Sequence, residues 1–266
     1  MAPPLVDTHF HIFDRSTPLL SHRWNPNGEE ARIEDILVCF ATYGVTHGVI
    51  STASIYGFYN DGFRDALARF PNLRATANMP LDAPQRLFER MSSEGFVGIR
   101  LLWRPLDEVP DLHSEEWQRL LHRCADHGWH VHLTDRPERI GTTIQTLEEA
   151  GVRIVVDHMG MTDTAAGIDD EGFREILAAI DRGRTWVKLS GAFRYRSPGN
   201  AVAAARSLID AAGWERLMWG SDWPFVGHME TMTYREALAS LDWITDSQMR
   251  RRVAADTALD FYFRDS

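Results

Sequence analysis

Leu5-Val6-Asp7-Thr8-His9-Phe10-His11 is a strand-like run that turns polar toward its C-terminal end, and its reading decides the fold. Residues two apart on a strand point to the same side, so His9 and His11 project together. Seven further runs of this kind follow: Thr46 to Thr52, Leu73 to Met79, Phe96 to Leu102, His130 to Thr134, Arg153 to His158, Thr185 to Ser190 and Arg216 to Asp222. Between them the helical period recurs. Ile33, Ile36, Leu37 and Phe40 share a face that stops at Gly44, and Phe173, Ile176, Leu177 and Ile180 share one that stops at Gly183. Ser114 opens another segment, which carries Leu120, Leu121 and Cys124 and ends before Gly128. Eight strands alternating with helices over 266 residues, with no linker or low-complexity tract, predict a single-domain (β/α)8 TIM barrel spanning residues 1–266. An open doubly wound sheet is the alternative, but the first strand is not followed by the Gly-rich fingerprint of that fold. A helix from about Ser247 to Phe263 is expected to close one end of the barrel.

Hydrophobic residues make up 44% and charged residues 25% of the chain, which excludes a disordered or fibrous protein. With 28 basic against 38 acidic residues the net charge is −10, so polyanions are repelled on average. No nucleic-acid or membrane partner is expected, and an anionic ligand must be caught locally. Cys39 and Cys124 form no metal-binding or disulfide pattern and read as free thiols. The Met-Ala-Pro-Pro start lacks the basic end and apolar stretch of a signal peptide, and no run reaches membrane-spanning length, so a cytoplasmic location is expected. All but one of the 28 basic residues are arginine, the exception being Lys188.

In a barrel, chemistry collects at the C-terminal ends of the strands. Those ends carry His9 and His11, His130 and His132, Asp157 and His158, and Asp222. Singly, each has an ordinary reading: hydrogen-bonded surface histidines, core-edge imidazoles satisfied by carbonyls, or a turn residue ahead of Trp223-Pro224. Together they converge on one point only in a barrel. Imidazoles with a carboxylate suit a zinc-type ion that keeps a position open for water, with Asp222 moving the proton. The same groups can also polarise a carbonyl without metal while Asp222 activates water, and the residues leave both routes open. Arg100, Arg104, Lys188, Arg194 and Arg196 gather near the ends of strands four and seven. Guanidinium forks pair with carboxylates, so the expected partner is a small anionic substrate. Trp103, Phe193, Trp223 and Phe225 near the expected mouth favour a flat ring over a polyhydroxylated sugar.

The motifs Asp7-Thr8-His9-Phe10-His11, Asp157-His158-Met159-Gly160 and Gly220-Ser221-Asp222-Trp223-Pro224 resemble the strand ends of the amidohydrolase superfamily. Ser54-Ile55-Tyr56-Gly57, Gly98-Ile99-Arg100 and Val187-Lys188-Leu189-Ser190-Gly191 resemble its lactonase branch, which includes pyrone-dicarboxylate hydrolases, fuconolactonases and sulfomuconolactone hydrolases. The resemblance implies water attack on a lactone carbonyl, with Asp222 as general base and His9, His11 and His158 as the other catalytic residues. It implies substrate binding by Ser54, Tyr56, Arg100, Arg104, Lys188 and Arg194. Metal use varies in the branch. An ion, zinc or manganese, would draw on His9, His11, His132, His158 and Asp222, and a metal-free site is the other possibility. Strand four has no lysine to bridge two ions, so at most one is expected. The segment His22-Arg23-Trp24-Asn25-Pro26 departs from the proline- and tyrosine-rich loop of the pyrone hydrolases and leaves the particular lactone open. His132 matches a metal ligand of decarboxylase relatives, which keeps a metal-dependent decarboxylase as the alternative. A Schiff-base aldolase using Lys188 and a non-catalytic binder complete the set of readings. The oligomeric state stays open, a homo-oligomer included.

Overall fold

A computed structural model describes residues 4–18, 20, 29–212 and 214–264. Among the described residues there are eight strands: β1 Leu5–Phe10, β2 Val45–Ile50, β3 Leu73–Ala77, β4 Phe96–Leu102, β5 His130–Thr134, β6 Arg153–Val156, β7 Thr185–Leu189 and β8 Leu217–Trp219. They lie side by side in sequence order, and each neighbouring pair is parallel. β8 returns to β1. The Thr8 hydroxyl donates to the Trp219 carbonyl at 2.7 Å, and the Asp222 N–H donates to the His9 carbonyl at 2.7 Å. The (β/α)8 barrel read from the sequence is therefore the fold, with strand limits within a few residues of those expected.

The outer layer is α1 Ile33–Tyr43, α2 Asp61–Arg69, α3 Gln85–Ser93, α4 Glu115–Asp126, α5 Pro137–Glu149, α6 Glu171–Arg182, α7 Pro198–Ala212, α8 Tyr234–Leu238 and α9 Ser247–Arg251. Gly44 and Gly183 end α1 and α6 in the left-handed region, at φ 75° and 90°, which only glycine enters without a Cβ penalty. Ser114 stands at the start of α4 in extended backbone, although its side chain makes no cap bond. The apolar stripes of the helices pack on the outward side of the strands; Phe10, for instance, meets Phe40 of α1 edge-on at 5.5 Å.

α9 continues through wider π turns at Arg252–Asp256 and Leu259–Phe263, giving the long closing helix that was expected. Its Ala255, Ala258, Phe261 and Tyr262 bury Val6, Val49, Val155 and Met218. Phe261 and Tyr262 stand beside the strand starts Leu73, Phe96, His130 and Arg153, so this helix plugs the N-terminal end of the barrel. The opposite end is left to the βα loops. No helix among the described residues is long and apolar enough to cross a membrane.

Candidate active site

The site is built where β1 and β8 meet. Asp7, fully buried, accepts hydrogen bonds from the His9 N–H at 3.1 Å, the Ser221 N–H at 2.9 Å, the Ser221 hydroxyl at 2.6 Å and the Tyr234 hydroxyl at 2.8 Å. Burial pushes its carboxyl up to about 6 in spite of these four donors. Asp7 thus ties the backbone carrying His9 to the one carrying Asp222. A Cβ on Gly220 would lie 2.8 Å from that of His9, so the bare glycine is what lets the two strands approach. His158 and Asp222 are held at φ 54° and 65°, a left-handed backbone that costs a non-glycine residue energy and recurs at functional positions.

His9 Nε2 and His11 Nε2 face each other at 3.3 Å. Asp222 Oδ1 is 3.7 Å from the first and 3.5 Å from the second, while Asp222 Oδ2 is 3.8 Å from His158 Nε2 and 2.5 Å from Arg194 Nε. Burial opposes ionisation of Asp222, but Arg194, His158 and the strand-one histidines outweigh it and hold the carboxyl well below its usual range. Burial also lowers the histidines. His158 falls to about 4 even though Asp222 pulls the other way, so its imidazole is neutral at pH 7. Its Nδ1 rests 3.0 Å from the Ser190 hydroxyl.

His9 lies fully buried directly behind His11, and of these groups His11, His158, Asp222 and Arg194 line a cavity of about 580 Å³. Its polar side carries His11, His158, Asp222, Arg100, Arg104 and Arg194, and its apolar wall carries Phe13, Ile55, Leu102, Pro105, Met161 and Val226. Arg100 is anchored, with Nε 2.8 Å from Asp157 Oδ2 and Nη1 2.7 Å from the Thr52 carbonyl. Arg104 differs: its Nη1 is buried without a hydrogen-bond partner. Tyr56 lines the cavity and donates its hydroxyl to the Ile12 carbonyl at 2.9 Å. Ser54 begins a short 3₁₀ turn, Ser54–Tyr56, and its side chain lies outside what is described, as does the segment His22-Arg23-Trp24-Asn25-Pro26.

Lys188 and His132 are placed differently from the sequence reading. Lys188 does not line the cavity. It is fully buried beneath His9, with Nζ 3.1 Å from Asp157 Oδ1, from His9 Nδ1 and from His132 Nδ1. Such a lysine has no path to a substrate carbonyl, which removes the motive for a Schiff base. His132 Nε2 points away from the site to the Tyr262 hydroxyl at 3.0 Å, so His132 stands below the ligand-type group. The rim position on β5 belongs to Thr134, which lines the cavity. The likeness of His132 to a decarboxylase ligand therefore finds no counterpart in the geometry. Arg196 is exposed. None of the four aromatic side chains expected at the mouth, Trp103, Phe193, Trp223 and Phe225, lines the cavity: Phe193 packs edge-on against Phe225 and beneath the Arg194 guanidinium, Trp103 packs against Trp117, and Phe13 and Tyr56 supply the cavity's rings. Sequence reasoning noted Asp157 at the end of strand six but gave it no role; the structure makes it the anchor of Arg100 and the counter-charge of Lys188.

The donors fit one metal ion by size. Ligands of a tetrahedral zinc at 2.0–2.1 Å stand about 3.3 Å apart, close to the 3.3, 3.5 and 3.7 Å edges of the triangle His9 Nε2, His11 Nε2 and Asp222 Oδ1. His9, His158 and Asp222 likewise offer ligand atoms all within 4.8 Å of one another, and Asp222 Oδ1 is buried without a hydrogen-bond partner.

A parallel barrel with imidazoles and an aspartate at its strand ends is the architecture of an amidohydrolase. Residues 6–264 match the family described as Amidohydrolase, and the chain belongs to it. A 4-sulfomuconolactone hydrolase of Hydrogenophaga intermedia is 26% identical over 268 residues, covering 96% of this chain and 88% of that protein. A D-galactarolactone isomerase of Agrobacterium fabrum is 26% identical over 261 residues, covering 94% and 88%. A crystal structure from Pseudomonas putida, described as a candidate 2-pyrone-4,6-dicarboxylic acid hydrolase, is 32% identical and superposes with a TM-score of 0.90 over 98% of both chains.

Proposed function

We propose that this protein hydrolyses a carboxylated lactone with a flat, largely apolar ring. The observation that carries the reading is Asp222 Oδ1, buried and unpartnered at the floor of a cavity that three arginines also line. Two of the related proteins are described as hydrolases of acidic lactones or pyrones, which supports the same chemistry. The third is described as acting on a sugar lactone, but the wall of Phe13, Ile55, Leu102, Pro105, Met161 and Val226 offers no hydrogen bonds to ring hydroxyls.

In this mechanism, Arg104 and Arg194 pair with substrate carboxylates and Arg100, braced by Asp157, adds positive field. The lactone carbonyl oxygen turns toward the histidine cluster, where an imidazole N–H takes up the developing negative charge. Asp222 Oδ1 accepts a proton from water as the water oxygen bonds to the carbonyl carbon. The ring C–O bond then breaks, and protonated Asp222 returns its proton to the departing oxygen, giving a hydroxy or enol acid. A substrate carboxylate drawn to Arg194 loosens that residue's hold on Asp222 and restores basicity when it is needed. A divalent ion held by His9, His11 and Asp222 would supply carbonyl polarisation and a more acidic water. A panel of carboxylated lactones, assayed spectrophotometrically with and without chelator, tests the reading. Turnover that disappears in Asp222→Asn is expected, and absence of turnover on every carboxylated lactone overturns it.

A further inference from the structure

The protons on His9 and His11 can be assigned from neighbours whose hydrogen-bonding role is fixed. The Ser51 carbonyl can only accept, and it lies 2.6 Å from His11 Nδ1, so His11 carries its proton there and presents a bare Nε2. That bare nitrogen faces His9 Nε2 at 3.3 Å. Behind the His9 ring, Nδ1 lies 3.1 Å from Lys188 Nζ and 3.2 Å from Asp157 Oδ1. An ammonium only donates and a carboxylate only accepts, so these two neighbours ask opposite things of His9.

We infer that Lys188 is a positioning residue that holds His9 in its Nε2–H tautomer, making His9 a hydrogen-bond donor toward the carbonyl side of the site instead of a metal ligand. The ammonium is in hydrogen-bonding geometry with three acceptors, His9 Nδ1 and His132 Nδ1 at 3.1 Å and the Ser51 hydroxyl at 3.4 Å, while Asp157 Oδ1, 3.1 Å away, balances its charge as an ion pair without a hydrogen bond to either Lys188 or His9. His9 Nε2–H then rests on the bare Nε2 of His11, whose ring lines the cavity. The reverse tautomer, with His9 Nδ1–H on Asp157, would leave His9 Nε2, His11 Nε2 and Asp222 Oδ1 as three lone-pair bearers within 3.7 Å, an arrangement that calls for a cation between them. Lys188 and a metal ion therefore compete for His9.

The tautomer follows from this geometry alone, whereas its use on a carbonyl rests on the lactone reading, and the experiment separates the two. Long-range proton–nitrogen correlation spectra of the chelator-treated, histidine-labelled protein at pH 7 report each tautomer. His9 as Nε2–H and His11 as Nδ1–H are expected, and His9 as Nδ1–H overturns the inference whatever the turnover. Lys188→Met, checked for folding by circular dichroism, is expected to raise zinc affinity at least about tenfold by calorimetry, the scale of effects from groups behind a ligand. An unchanged zinc affinity in the folded variant also overturns it. Should the variant fail to fold, the spectrum of the unaltered protein decides.

Discussion

Arg194 Nε lies 2.5 Å from Asp222 Oδ2, so the carboxylate proposed as the general base is held by a guanidinium. This hold has a direction that can be read in solution. A cation beside a carboxylate lowers its pKa, and removing the cation raises it. Arg194→Met is therefore expected to move the acid limb of the kcat/KM profile to higher pH and to raise KM by about tenfold or more, the worth of a charge-assisted bond to the substrate. An acid limb that stays in place would show that Asp222 is not the titrating base.

Asp222→Asn keeps the shape of the side chain and removes its basicity. A loss in kcat of about 10²–10⁴-fold is expected, with KM changed far less, because general base catalysis is worth that much. Steady-state kinetics on the responding lactone check it, and near-normal kcat would place the base elsewhere.

The pH profile should lack the usual histidine inflection. His158 falls to about 4, chiefly through burial, so its imidazole is uncharged from pH 7 down to about 5. No inflection from His158 is therefore expected across pH 5.5–7.5, where an ordinary histidine would titrate, and a change near pH 6 belongs to Asp7. An inflection near 6.5 that vanishes in His158→Gln would contradict this assignment.

Gly220→Ala tests the contact between the first and last strands. The added methyl would lie 2.8 Å from His9 Cβ and 3.0 Å from its backbone nitrogen, so one chain must move. Overpacking of this kind costs about 1–3 kcal/mol. Urea denaturation should show that loss, and kcat should fall with it, because the displaced residue is His9.

The barrel was legible because its signal is repeated: apolar runs recur between amphipathic segments, and glycines such as Gly44 and Gly183 mark the helix ends. His9, His11, His158 and Asp222 were legible for a related reason, since each closes a run and the fold gathers such ends at one mouth. Depth was not legible. His132 and Thr134 have the same parity on β5, and only the curvature of the closed sheet makes one a floor residue and the other a rim residue. The cavity wall was hidden for a different reason. Phe13, Met161 and Val226 stand between the regular strands and helices, in an isolated bridge, a short 3₁₀ turn and a turn, where no periodicity indicates direction.

The helix that plugs the far end of the barrel brings the Tyr262 hydroxyl to His132, and His132 meets the same ammonium that touches His9. The plugging helix and His9 thus stand at two ends of one short relay of polar contacts. A substitution at Tyr262 is for that reason no neutral change: it alters what His132 can accept from Lys188, and with it the grip on the first strand's histidine. The floor of the barrel and the proposed site thus answer to the same buried ammonium.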